Sequence, residues 1–276
     1  MDRSATRPDP ASMIDDERYP LRDASRIAPV VVAARGALAA DGVAILEDFV
    51  RASVVAEMCA EADRLEPSSH HQGVEGTPYL ALPDESFPDG HPRRALVRSH
   101  LTAIAYDQFP SDSALRALYE WETLSEFIAS ILGVDRLHRY ADPLGALNVA
   151  VMREGDELGW HFDQTDFVVS IALQSSSGGG DFETASQIRN ADDECYDAVR
   201  AVLDGDVGAV SSIPMRPGTL MLFEGRHSMH RVTPIVGETP RQVALLAYDT
   251  RPGTDSTDLL KLVRYGRLPA DPGGST

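Results

Sequence analysis

An α+β fold, helices first and an antiparallel β core after them, is what this sequence predicts, and three observations predict it. The chain has 276 residues, a length that suits one barrel or sandwich with added helices. Apolar residues at helical spacing are confined to the first half. After Gly133 the texture changes to short Val-, Leu- and Ile-rich runs divided by Gly, Pro and Asp, which is how strands are punctuated.

Taken in order, residues 1–25 read as a loosely ordered leader and 26–268 as one domain. Small and apolar residues from Ile27 to Ala40 suit a helix, which Asp41 and Gly42 break before a short strand from Val43 to Phe49. Residues 53–65 follow as an amphipathic helix with Val54, Val55, Met58, Cys59, Ala62 and Leu65 on one side. The stretch 67–93 is rich in Pro, Gly, His and Ser and reads as one long loop. Residues 112–132 give the clearest helix, with Leu115, Leu118, Tyr119, Phe127, Ile128 and Ile131 at helical spacing. Strands are expected at 145–153, 166–174, 218–223, 229–234 and 241–248, in a β core of about 140–251. Met152, Leu173 and Met221 are expected in that core. An acidic, part-helical insert at about 184–212 interrupts the strands, and 269–276 form a disordered tail. No internal repeat is present.

Composition narrows the function. Hydrophobic residues make up 43% of the chain, yet none of its apolar runs reaches eighteen residues, so a membrane span is not expected. The polar first twenty residues lack the apolar centre of a signal peptide, which places the protein in the cytoplasm. A formal charge of −18 argues against nucleic acid or an anionic membrane as partner. A small molecule is the expected partner, and oligomeric state is not specified. Cys59 and Cys195, the two cysteines, read as free thiols rather than a disulfide or zinc pair.

Three signals carry chemistry. His161 and Asp163, in the segment Gly159 to Asp163, stand two apart, so on a strand both face one side. An imidazole and a carboxylate on one face are two ligands of the two-histidine, one-carboxylate triad of non-heme iron. With eight histidines in the chain, the pair alone reads equally well as the solvated end of a surface strand. The second signal is His227 to Pro234, between two strands. His230, inside the sheet, is preferred over His227 in the turn as the third ligand. The third is Arg241, opening the apolar strand to Tyr248. A charge entering a buried strand needs a partner, and a guanidinium fork matches a carboxylate. Alone, a structural salt bridge explains it better.

Together the order is specific: His-x-Asp, about sixty-five residues, His, about ten, then Arg, on alternating strands. It resembles that of the Fe(II)/2-oxoglutarate oxygenases. So do the helix-then-strand opening at Leu38–Phe49 and the run Met215–Phe223. The likeness covers about residues 35–267, with specific motifs within 145–251. In detail Gly145–Val149, Gly159–Asp163, His230–Pro234 and Val263–Arg267 look like the group of free-amino-acid halogenases. Those carry Gly where this chain has Asp163, and the missing carboxylate leaves a coordination position for chloride; its presence here points to hydroxylation.

The resemblance implies a double-stranded β-helix (jelly-roll, cupin-like) core. It implies iron(II) on His161, Asp163 and His230, 2-oxoglutarate anchored by Arg241 and bonded by Asn148, and O2 as oxidant. The reaction implied is hydroxylation of an unactivated C–H, with succinate and carbon dioxide as co-products. A free amino acid or an amino-acid derivative is the expected substrate, with a non-amino-acid natural product as the alternative. It would need a cation for its carboxylate, for which Arg94 and Arg98 are candidates. Asp142, Asp249 and Arg251 flank the site and could read a polar side chain; His70 and His71 lie in the long loop, which could form a lid. Trp160 is expected to pack in the core. Desaturation or cyclisation by the same cofactors, a cupin-like metalloenzyme without 2-oxoglutarate, and a non-catalytic binding barrel are the competing readings. A carboxylate clamp at Arg241 has no purpose in the cupin-like enzyme, and a binding barrel has no reason to keep three metal-binding residue types in facial order.

Overall fold

In the computed structural model, residues 7–270 are described. The elements in chain order begin with α1 (Pro10–Met13), α2 (Ala24–Asp41), β1 (Val43–Leu46) and α3 (Ala52–Leu65). Next come β2 (His70–Gly76), β3 (Val97–Ile104), α4 (Ala114–Tyr119), α5 (Glu122–Leu132) and β4 (His138–Arg139). Then follow β5 (Leu147–Met152), β6 (Leu158–His161), β7 (Val168–Gln174), β8 (Gly178–Gly179), β9 (Phe182–Ala185) and α6 (Tyr196–Leu203). The chain closes with β10 (Ser211–Ile213), β11 (Leu220–Phe223), β12 (Met229–Val232), β13 (Ile235–Val236), β14 (Arg241–Leu246), β15 (Tyr248–Asp249) and α7 (Asp258–Tyr265).

The main sheet runs β1-β11-β7-β14-β5-β3-β6-β12-β9-β10, with β2 on the free side of β3. It curls on itself. β3 is the bend: Thr102–Ile104 pair with β5, while Ser99 pairs with β6. Leu101, Ala103, Ala150, Met152 and Met221 from one half therefore meet Phe182, Val232 and Ile235 from the other in one interior cluster. This is the antiparallel jelly-roll expected. Strand alternation sorts the faces. On β5, Ala150 and Met152 point inward, while Val149 and Val151 point outward into a second core against Leu38, Met58, Leu118, Leu124 and Ile128 of the helices. Leu173 also faces these helices, and Met152 and Met221 face the interior.

Several expectations change. The residues from 7 to 25 are packed rather than loose: Met13, Ile14, Tyr19 and Leu21 are buried, and Ile14 bridges Val50. The 67–93 stretch is not all loop, because His70–Gly76 form β2 on β3, and neither strand was expected. β2 lies at a sheet edge with most side chains in water, so it carries little apolar alternation. The helix expected over 112–132 breaks between Tyr119 and Glu122. Tyr248 donates its hydroxyl to the Tyr119 carbonyl at 2.8 Å, and Trp121 turns extended. The insert holds α6 as expected. Part of the expected tail, residues 271–276, lies outside the described residues. Both cysteines are free. None of the described helices is long and apolar enough to cross a membrane.

Candidate metal centre

β6 ends at His161 and β12 begins beside His230, and the two residues are register partners. Antiparallel pairing therefore sets both imidazoles side by side, with ring centroids 4.2 Å apart. Asp163, two residues past His161, returns to the same face. Its Oδ1 lies 3.9 Å from His161 Nε2 and its Oδ2 3.5 Å from His230 Nε2. One ligand atom from each residue falls within 4.8 Å of the others, and this is the group of metal-ligand type found among the described residues. His227 stays in the preceding turn, outside it.

The electrostatics of the three ask for a cation. His161 Nδ1 contacts the Gly159 carbonyl at 2.7 Å, and His230 Nδ1 contacts the Ser228 carbonyl at 3.0 Å. Each ring therefore donates from Nδ1 and turns its Nε2 lone pair toward the other ring and the carboxylate, the tautomer a metal-binding histidine needs. Asp163 Oδ2 is buried with no hydrogen-bond partner. Two lone pairs and an orphaned carboxylate oxygen pointing at one spot are costly unless a positive charge sits there. Burial, the neighbouring His230 and Arg264 hold His161 down to about 4 against the pull of Asp163, so its Nε2 is unprotonated at neutral pH. Two imidazoles and one carboxylate, all from one side, fit iron(II) with open positions.

Arg241 opens β14 opposite Met152 and is buried. Its stem passes the interior residue Ile235 beside Gly180. Ile235 shares a cluster with Phe182 and Phe223, whose rings pack on His230. Burial lowers the guanidinium pKa to about 10, opposed by Asp181, so it remains a cation. None of the carboxylates among the described residues pairs with it within 4.0 Å. A buried, charged fork without an anion is what the far carboxylate of 2-oxoglutarate would satisfy.

Asn148 lies on β5 two residues before the inward-facing Ala150 and is buried. Its Oδ1 accepts from Arg264 Nη2 at 3.2 Å. Arg264, on α7, is near enough to lower the basicity of His161. It is a site residue that reasoning from sequence missed, although the stretch Val263–Arg267 had been singled out. The other candidates scatter. Arg94 is held by Asp89 and the Phe87 carbonyl within its own loop. Arg98 is exposed on β3. Asp142 is buried; Oδ1 caps Leu144 N at 2.8 Å, and Oδ2 is left without a partner. Asp249 accepts from Arg251 N and Thr254 Oγ1 in its own turn, and Arg251 is exposed. These five are not brought to one place. Trp160 points away from the imidazoles and packs under the Arg231 guanidinium, 4.8 Å away.

The segment 77–96 lies over the ligand strand. Phe162, between two ligands, donates its amide to the Pro78 carbonyl at 2.8 Å and packs its ring on Tyr79. The Arg189 guanidinium covers the Phe162 ring at 3.8 Å. Arg189 and Arg93 both bind Glu194, and Arg93 also donates to Tyr196. The loop is thus fastened to the acidic insert on the face of the ligand strand turned away from the imidazoles, where Phe162 clusters with Trp160.

A family model described as halogenase D matches residues 29–258. None of the curated proteins matches the chain. Many solved structures share the fold, and three of them show the range. The carbocyclase SnoK from nogalamycin biosynthesis has a TM-score of 0.56 at 12% identity, over 87% of this chain and 93% of that one. The epimerase SnoN of the same biosynthesis has 0.54 at 17%, over 89% and 95%. A prolyl-4-hydroxylase from Pseudomonas putida has 0.50 at 16%, over 79% and 97%. SnoK and SnoN are described as non-heme α-ketoglutarate-dependent.

Proposed function

The chain belongs to the halogenase D family, and from that premise we propose that it is an iron(II)- and 2-oxoglutarate-dependent oxygenase hydroxylating an unactivated C–H of a free amino acid or close derivative. The observation that carries the reading is the carboxylate of Asp163 facing both imidazoles. Where a free-amino-acid halogenase of this kind leaves that position vacant for chloride, a carboxylate occupies it here.

Each residue has a defined task. His161, Asp163 and His230 would hold iron(II), their orientation set by the two Nδ1 contacts. Arg241 would take the distal carboxylate of 2-oxoglutarate. Asn148, steered by Arg264, keeps its amide N–H groups for a carbonyl or carboxylate oxygen. The loop 77–96, held on Phe162, backs the strand that carries His161 and Asp163. Iron(II) and 2-oxoglutarate, once bound, would activate O2, the oxidant, toward a C–H bond, with 2-oxoglutarate as co-reductant; geometry comes from the protein.

A screen of free amino acids with iron(II), 2-oxoglutarate and O2 tests this, reading succinate release and product mass. A gain of one oxygen supports hydroxylation. Loss of two hydrogens would instead establish desaturation or cyclisation, and incorporation of chlorine from added chloride would refute the role given to Asp163. Asp163→Ala should abolish coupled product formation, and turnover at the wild-type rate would remove this residue from the triad.

A further inference from the structure

Gly225 lies in the turn between β11 and β12, and its carbonyl accepts the Asp163 amide at 2.9 Å. That bond sets the two ligand-bearing segments side by side. Backbone conformation does not explain the glycine. Its φ lies outside the left-handed region that Gly218 and Gly237 on either side occupy, so an L residue could adopt it. What excludes a side chain is Asp163. A Cβ on residue 225 would stand 2.6 Å from Asp163 Cγ and 2.9 Å from its Cβ, and nearer still to Oδ2. Real Cβ contacts essentially never fall below 3.0 Å. The oxygen it would strike is the buried one left without a partner.

We propose that Gly225 is a positioning residue whose missing side chain lets the Asp163 carboxylate face His161 and His230, so that the third metal ligand depends on position 225 as well as 163. This rests on the reading that the three residues hold iron(II). The local backbone has little freedom to relieve the clash. The Asp163–Gly225 hydrogen bond fixes it, and Arg226 reinforces it by donating to the Gln164 carbonyl and to Asp166. Arg189 adds a bond from Nε to the Arg226 carbonyl at 2.8 Å. With a methyl at 225, rotation of the Asp163 side chain removes the severe contacts with Oδ2 and Cγ, and a shift of a few tenths of an ångström in the turn relieves the lesser one with Cβ. The carboxylate then leaves the imidazoles while both strands keep their pairing.

Anaerobic titration of the metal-free protein with cobalt(II), followed by visible absorption, tests this. It compares wild type, Gly225→Ala, Asp163→Ala and the double variant, with thermal melts to establish folding. Gly225→Ala should weaken cobalt binding about ten- to a hundredfold and give a cobalt spectrum that overlays that of Asp163→Ala. The double variant should bind no more weakly than Asp163→Ala alone, since the carboxylate struck by the methyl is gone and only the milder contact with Cβ remains. Wild-type affinity and spectrum in Gly225→Ala would overturn the inference alone. So would losses that add in the double variant, which would mark general damage to the turn. Absence of cobalt binding by the wild type would overturn the iron reading and this inference with it.

Discussion

At the scale of residues, the site is a set of polar groups that the protein leaves incomplete. Arg241 is a buried cation lacking an anion among the described residues. Arg241→Leu should therefore raise the 2-oxoglutarate concentration for half-saturation roughly ten- to a hundredfold, since a hydrogen bond to a charged group contributes about 1.5–3 kcal/mol. Metal affinity should stay as in wild type; an unchanged 2-oxoglutarate requirement would give Arg241 a structural role only. His161 makes a second prediction. Burial holds its imidazole at about 4 against an ordinary 6.5, so below 6.5 the unfolded chain takes up a proton that the folded chain refuses. The metal-free protein should thus be most stable above pH 6.5 and lose stability as pH falls toward 4. Melts across that range should show a shallower slope in His161→Gln. His161 and Asp163 stood out in the sequence because two-residue spacing on a strand declares a shared face, His230 because it stands inside the sheet, and Arg241 because it is a charge opening an apolar strand. Gly225 and Arg264 were not, because one acts by lacking a side chain and the other arrives from a helix beyond the last core strand.

Among elements, the joint that matters is the one between the 77–96 loop and the insert. Glu194 receives both Arg93 and Arg189, and Arg189 lies on Phe162 between two ligands. Glu194→Gln removes the charge that draws the two guanidiniums together. Hydrogen exchange should then quicken in peptides spanning 77–96 and at the Phe162 amide, with α5 unaffected. Equal exchange in both proteins would mean that the aromatic contacts alone fasten the loop. The same scale holds the misread elements. β2 exposes nearly all its side chains at an edge, so periodicity could not reveal it. The break between α4 and α5 has no Gly or Pro; a hydroxyl from β15, some 129 residues distant, takes the carbonyl that the helix would have used.

For the whole molecule, charge is the dominant collective property. With 43 acidic against 25 basic residues, self-repulsion outweighs the scattered surface ion pairs, each of which contributes only about 0–1 kcal/mol. Raising salt from about 0.01 to about 0.1 M shortens the screening length from about 30 to about 10 Å. The melting temperature of the metal-free protein should rise; a fall would show that ion pairs prevail. The sequence by itself determined that helices come first and an antiparallel β core follows, and the types of residue available for a metal and a carboxylate. Those are local matters, governed by periodicity and by the chemistry of single side chains. Only the tertiary structure decided that Asn148 is held by Arg264, that Gly225 stands against Asp163, and that Arg94, Arg98, Asp142, Asp249 and Arg251 do not gather at the imidazoles. These depend on strand register and on the bend at β3, which join residues far apart in the chain and leave no trace in its local pattern.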